Sequence, residues 1–362
     1  MSAAAATPTA AAATGSLLGA AVGDAVGLPY EGLTPARAAA LLGEPDRLRL
    51  VWGRGMVSDD CEHACLTAAA LARSGGDVDR FTRELGRQLR WWFAALPAGV
   101  GLATARACVK LWLGASPHTS GVRSAGNGPA MRAAMLGATI ADRDRLARFV
   151  DASSRTTHRD ERALDGALVV AASARLAAAG ALDADELARE LAAYGRPRDD
   201  AFARLIDDAL RSVERREPTL AFAARHGMSR GVSGFIVHTV PVAVHAALSH
   251  PGDVRNAVMA CVRCGGDTDS TAAIAGGIVG AQSGPDGVPH DWLAALWTAP
   301  RSLAWMRALA AAATEATRNA EPEPVPRFAW PLVPLRNAAF LGVVVFHGLR
   351  RLLPPYGTAK RR

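Results

Sequence analysis

Two short acidic stretches, far apart in the chain, set the terms for any fold this sequence can adopt. Ser58-Asp59-Asp60 and Asp267-Thr268-Asp269-Ser270 each stand at the head of a long run of small or apolar residues, Cys61 to Ala72 and Ala272 to Ala281. Both runs read as buried helices. Turn-forming glycines precede each one, Gly53 and Gly55 before the first and Gly265 and Gly266 before the second. Asp and Ser are favoured at helix N-termini, so either stretch alone is explained by capping. The pair asks for more. Two carboxylate charges about 4 Å apart repel by about 4 kcal/mol at an effective dielectric near 20. If both stretches face one cleft, Asp59, Asp60, Asp267 and Asp269 with the hydroxyls of Ser58 and Ser270 form a hard-oxygen donor set. Such a set suits Mg²⁺ or Mn²⁺ rather than a soft metal, and two divalent ions would balance the four carboxylates.

The rest of the composition points to helices. Hydrophobic residues make up 50 % of 362, aromatics only 6 %, and alanine dominates. Alanine, leucine and arginine are strong helix formers and β-branched runs are few, so the expected class is all-α. Net charge is +7, carried by arginine spread along the helices and by Lys360-Arg361-Arg362. No basic stripe interleaved with aromatics occurs, so no nucleic-acid partner is expected. A phosphate-bearing substrate would still be steered by such a field. The five cysteines, Cys61, Cys65, Cys108, Cys261 and Cys264, are sparse and odd in number, which fits a reducing cytoplasm rather than a disulfide framework. Cys261-x-x-Cys264 with Cys61 and Cys65 leaves a zinc site open, against the simpler reading of small thiols in a core.

Residues 1–14, rich in Ala and Thr, read as a disordered tail without signal-peptide character. No run of 18 apolar residues is present, so no membrane-spanning helix is expected. From Gly15 the main domain runs to 317. Gly15, Gly19, Gly23 and Gly27 fall on one helical face and allow a second helix to approach closely. Asp24 inside that helix needs hydrogen-bond partners or a cation. Glu31 follows Pro29 in a loop at a cleft rim. Trp91-Trp92-Phe93 reads as core. Gly126-Asn127-Gly128 before Pro129 forms a sharp loop whose free N–H groups and amide side chain suit a phosphate or sugar hydroxyl. His158 stands at the head of a helix near 160–179, where it either orients a ligand or makes a structural bond. Residues 318–336, with Glu321-Pro322-Glu323-Pro324-Val325-Pro326, read as a stiff linker. Residues 337–362 read as a C-terminal helix with a basic tail. It either packs on the body or a sister subunit, or makes weak contact with an anionic membrane surface.

Five of these motifs in this order resemble the ADP-ribosylglycohydrolase family, of the dinitrogenase-reductase-activating glycohydrolase type. They are Gly23-Asp24-Ala25-Val26-Gly27 through Glu31, Ser58-Asp59-Asp60, Gly126-Asn127-Gly128 with Met131-Arg132, Thr157-His158, and Gly265-Gly266-Asp267-Thr268-Asp269-Ser270. The resemblance covers about residues 15–285. It implies an orthogonal multi-helix bundle with a binuclear Mg²⁺ or Mn²⁺ centre. It also implies hydrolysis of the glycosidic C1″ bond of ADP-ribosylated groups, on a modified protein or an ADP-ribose-containing small molecule, with release of ADP-ribose. Ser58, Asp59, Asp60, Asp267, Asp269 and Ser270 match the family's metal ligands. Glu31 matches an acidic residue on a mobile flap; Gly126, Asn127 and Gly128 match a loop that contacts ribose and phosphates; His158 matches a position near the nucleotide. Glu31, Asp60 and Asp269 are the candidates for acid–base work. Ser270 stands where many relatives have Thr, and a serine hydroxyl can still coordinate. Cys61 also replaces a common Thr, at a position expected to pack. The alternative expectation is a catalytically silent relative that only binds ADP-ribose-like ligands.

Overall fold

Helices form almost wherever the alanine-rich sequence favours them. The structure, a computed structural model, describes residues 9–352. Among these residues the helices in chain order are α1 Ala10–Gly27, α2 Pro35–Leu42, α3 Asp59–Ser74, α4 Val78–Ala94, α5 Leu102–Trp112, α6 Ala133–Thr139 and α7 Arg143–Arg155. There follow α8 Glu161–Ala178, α9 Ala184–Tyr194, α10 Asp200–Glu214, α11 Thr219–Ala223, α12 Ile236–Ser249, α13 Val254–Arg263, α14 Thr268–Ser283, α15 His290–Ala294, α16 Leu303–Asn319 and α17 Leu332–Arg350. The only sheet among the described residues is a parallel pair, β1 Gly55–Met56 with β2 Leu296–Trp297. The architecture is the expected all-α, orthogonal multi-helix bundle.

At its centre α1 lies along α14. The glycine face of α1 makes this approach possible: a Cβ on Gly19 would stand 2.1 Å from the Gly276 carbonyl oxygen, and one on Gly23 would stand 2.2 Å from that of Ala272. The Thr268 hydroxyl donates to the Gly27 carbonyl at 2.8 Å, which fixes the head of α14 against the end of α1. The fit places the acidic stretch of α14 one helix width from Asp24. Gly19→Ala should therefore force the two helices apart, costing on the order of 3 kcal/mol. A urea midpoint unchanged by that substitution would contradict the packing described.

Four expectations need correction. The first helix starts at Ala10, capped by the Thr9 hydroxyl, and Ala12, Ala13 and Thr14 are buried, so the main body begins before residue 15. The expectation of a disordered tail at residues 1–8 lies outside the described residues, as do residues 353–362. At the other end α16 runs to Asn319 and α17 already begins at Leu332, which shortens the 318–336 linker to the stretch between them. Thirdly, two helices do have the length and hydropathy to cross a membrane, Ala10–Tyr30 and Leu332–Arg350. The first is 94 % buried in the bundle; the second is only 22 % buried. Lastly, Trp92 is core but Trp91 is half exposed, edge-on to Trp112 and Trp330.

Candidate active site

The two acidic stretches meet. The Ser270 hydroxyl at the head of α14 donates to Asp60 Oδ2 at the head of α3 over 3.2 Å, and the Ser58 hydroxyl donates to the same oxygen at 3.3 Å. Asp24 joins them from α1. Its carboxylate accepts the backbone N–H of Ser58 at 2.8 Å and of Cys61 at 3.1 Å, so it caps α3 from another helix. Of the two readings open for Asp24, the bond to backbone is the one observed. Asp267 does not cap α14. Its Oδ2 accepts from Asn127 Nδ2 at 2.6 Å, so capping does not account for the carboxylate.

Loops complete the site, tied together by short backbone ladders. Gly266 takes φ +78, and a Cβ there would meet the Val232 carbonyl oxygen at 2.0 Å, so only glycine fits this turn. Around it, Gly32 N–H donates to the Gly266 carbonyl and Gly266 N–H to that of Leu33, which anchors the Glu31 loop. Asp267 N–H donates to the Val232 carbonyl at 2.7 Å, and Asn127 N–H to that of Gly234 at 3.0 Å. Val122 bridges to His158. Glu31, Ser58, Asp59, Asp60, Gly126, Asn127, Gly128, His158, Asp267, Asp269 and Ser270 consequently line one cleft of about 610 Å³.

Electrostatically the cleft is under tension. Burial, and then the charge of Asp59, hold the Asp60 carboxyl well above the usual range; burial followed by Glu31 does the same for Asp269, and burial followed by Asp24 for Asp59. Burial pushes Asp24 up to about 7 against the bonds it accepts. Glu31 is exposed by surface area at the rim, yet desolvation in the acidic cleft and the charge of Asp267 raise it too. Asp60 Oδ1 is buried and has no hydrogen-bond partner among the described residues. Among those residues no group of three or more His, Cys, Asp or Glu side chains is already arranged to hold a metal ion. All five cysteines are buried and free, and burial raises Cys108 and Cys264 to about 12.

A sequence model of the ADP-ribosylglycohydrolase family matches residues 6–323, nearly all of the described body. The chain belongs to the ADP-ribosylglycohydrolase family. It is 24 % identical to ADP-ribosylhydrolase ARH3 of Gallus gallus, over 77 % of this chain and 87 % of that protein. It is 28 % identical to the ADP-ribosyl-[dinitrogen reductase] glycohydrolase of Rhodospirillum rubrum, over 78 % of this chain and 90 % of that one. A solved structure described as an ADP-ribosylglycohydrolase-related protein complex superposes with a TM-score of 0.58 and 27 % identity, covering 85 % of this chain and 98 % of that one. Membership makes the chain a hydrolase of ADP-ribosyl linkages, with ADP-ribosylated proteins or ADP-ribose compounds as its kind of substrate.

This ADP-ribosylglycohydrolase also has features that the motifs alone do not disclose. The Gly126-Asn127-Gly128 loop was expected to offer free N–H groups, but Gly126 N–H donates to the Ser124 hydroxyl and Asn127 N–H is used by Gly234. The Asn127 Nδ2 group donates to Asp267 and Thr239, so it positions a carboxylate, while Asn127 still lines the cleft. Behind the loop Arg132 is fully buried and all five of its N–H groups find acceptors: Ser153 Oγ and O, Gly128 O, Thr157 Oγ1 and His63 Nδ1. Thr157 Oγ1, which accepts from Arg132, also lies 2.9 Å from His158 Nδ1 and fixes the ring. The Nε2 edge of His158 faces Gly126 and Gly128. Burial, and then Arg132, depress His158 to about 3, so the ring is neutral at physiological pH. The sequence carried Arg132 only as part of the Gly126-Asn127-Gly128 motif, with nothing to mark its burial. Arg132→Met should cost about 3–5 kcal/mol, since it strands five buried acceptors, and should lower kcat/KM by unseating His158. Thermal unfolding and steady-state kinetics on the same preparation check both effects.

Proposed function

We propose that the chain is a metal-dependent hydrolase that cleaves the C1″ glycosidic bond of ADP-ribosylated groups and releases ADP-ribose. The observation that carries this reading is the junction of Asp60 with Ser270 across one cleft, with buried carboxylates whose mutual repulsion is uncompensated. The donor set fits two Mg²⁺ or Mn²⁺ ions. Asp60 Oδ1 lacks a partner, every candidate donor is a hard oxygen, and Mg²⁺ keeps several waters, so it needs only one or two carboxylates. Ser58, Asp59 and Asp60 on one side and Asp267, Asp269 and Ser270 on the other would hold them. When bound, such ions supply charge neutralisation and Lewis acidity toward ribose hydroxyls and water.

The protein's own groups account for the remaining chemistry. Breaking the C1″ bond builds positive charge on the ribose, as in other glycosidic cleavage. The carboxylates of Asp60 and Asp269, which line the cleft, would stabilise that charge, with Asn127 holding Asp267 in the same cleft. His158, held neutral, presents its Nε2 edge to the ribose or phosphate above the glycine loop. Glu31, Asp60 and Asp269 are the groups able to hold the transferred proton. Glu31 alone of the three is exposed, so it can meet the leaving group from the rim. The five reduced thiols suit the cytoplasm as the working compartment.

The test is release of ADP-ribose from three substrates, an ADP-ribosyl-arginine protein, an ADP-ribosyl-serine peptide and O-acetyl-ADP-ribose, before and after chelation. We expect release from at least one of them, lost with chelator and restored by Mg²⁺ or Mn²⁺. Tight binding without release from any would favour the silent binder, and full activity in chelated enzyme would remove the metal from the account.

A further inference from the structure

Helix α17 is built inside out for a helix on the surface of a protein in water. It lies beyond the stretch matched by the family, which ends at 323. Its polar side chains turn toward the body. Arg336 pairs with the buried Glu62 and donates to the Val57 carbonyl; Asn337 donates to that of Ala95 at 2.8 Å. His347 bonds to the Pro29 carbonyl at 3.0 Å, and Arg351 donates to the carbonyls of Pro29 and Glu31. On the same inner side Phe340 and Val344 form part of the wall of the acidic cleft. The outer side is apolar throughout. Leu335, Leu341, Val345, Phe346, Leu349 and Leu352 are each more than half exposed, and no exposed position from 332 to 352 carries a polar side chain.

The chain's net charge is gathered in the same stretch of sequence. The sequence has 41 Lys and Arg against 34 Asp and Glu. Seven of the basic residues and none of the acidic ones follow Glu323, so residues 1–323 are neutral overall and the whole +7 belongs to the segment that carries α17.

We infer that the outer face of α17 docks flat on an anionic lipid bilayer. Apolar side chains of this breadth enter the boundary between headgroups and acyl chains, while the basic residues of the segment other than the inward-turned Arg336 and Arg351 meet the lipid phosphates. The helix lies in the interface and does not span. Crossing the bilayer would pull Arg336, Asn337, His347 and Arg351 away from their partners and into hydrocarbon. A second copy of the chain is the less suitable occupant. No exposed position of α17 carries the charged side chains that set the register of a helix pair. Because the inner side of α17 forms the cleft wall and holds the Glu31 loop, docking brings the hydrolytic site to the membrane surface.

The inference is tested by flotation of the full chain with vesicles of 70 % phosphatidylcholine and 30 % phosphatidylglycerol, and with pure phosphatidylcholine. The comparison is Leu341→Glu/Phe346→Glu, two exposed positions away from the cleft. The unaltered protein should float with the anionic vesicles, at least tenfold more than with the neutral ones. The double variant should lose at least tenfold of that binding while its circular dichroism and hydrolysis of a soluble substrate stay unchanged. Absence of flotation, equal flotation of the variant, or a dimer by light scattering that the variant abolishes without any vesicle binding would each overturn it.

Discussion

Replacing Asp60 and Asp269 together with Asn should lower hydrolysis of the ADP-ribosyl bond by about 10³-fold or more, while raising the unfolding midpoint of the cation-free protein. The two effects have one cause. Both carboxylates are almost fully buried beside further negative charge, and burial first, then that charge, holds both well above their ordinary range. Asn keeps the shape and can still accept from Ser270, but it removes the repulsion and with it the negative field the ribose cation requires. Had the acidic stretches served only to cap α3 and α14, the substitution would do the reverse. It would lower the midpoint slightly and leave turnover close to normal, because Asn caps nearly as well as Asp. Activity and stability moving in opposite directions is therefore the diagnostic result.

The second large effect concerns cations and pH. Mg²⁺ or Mn²⁺ at about 100 times its Kd should stabilise the fold by about 2.7 kcal/mol, or roughly 3 °C in Tm for a chain of this length. The increment should be full near pH 7.5 and fall steeply by pH 5. Asp24 titrates near 7, and Asp59, Asp60 and Asp269 are well above 3.8. In the unfolded chain these carboxyls lose their protons near pH 4. In the fold they keep them to higher pH, so their contribution favours the cation-free fold in acid and is lost as pH rises toward 7. A cation has to displace those protons, and its binding weakens as pH falls. Buried histidines pull the other way. His158, near 3, and His245, near 4, are kept neutral mainly by burial, and the fold loses stability as pH drops below their unfolded value of 6.5. The readout is accordingly the difference in Tm with and without cation at each pH, in which the histidine contribution cancels. An increment that is equal at pH 5 and 7.5 would place the cation somewhere other than among these carboxylates.

Much of this was legible because the signals were local. The glycines of α1 recur every four residues, so their common face was plain, and the close approach to α14 is what such a face permits. The acidic stretches stood at helix starts and converge as expected. What pattern reading misjudged depended on partners far away in sequence. Ala10 to Thr14 carries no amphipathic signal because α1 is buried on every side from Ala12 onward, so its first turns look like a featureless tail. Arg132 stood in one of the motifs, but its buried bonding was hidden, since its acceptors come from α3, α7 and two loops. Asn127 has the chemistry of a sugar ligand, and only the fold reveals that its Nδ2 group also holds Asp267 and Thr239. In α17 the apolar run was visible but its orientation was not, because the polar side chains that face inward are paired with carbonyls and with Glu62 from elsewhere in the chain.

The central claim is that acids from the heads of α3 and α14 share a pair of hard cations, and an anomalous diffraction map from crystals soaked in Mn²⁺ tests it most directly. Two peaks within coordination distance of Ser58, Asp59 and Asp60 on one side and Asp267, Asp269 and Ser270 on the other are predicted. Crystals of active, Mn²⁺-saturated enzyme that show no peak in this cleft would contradict it.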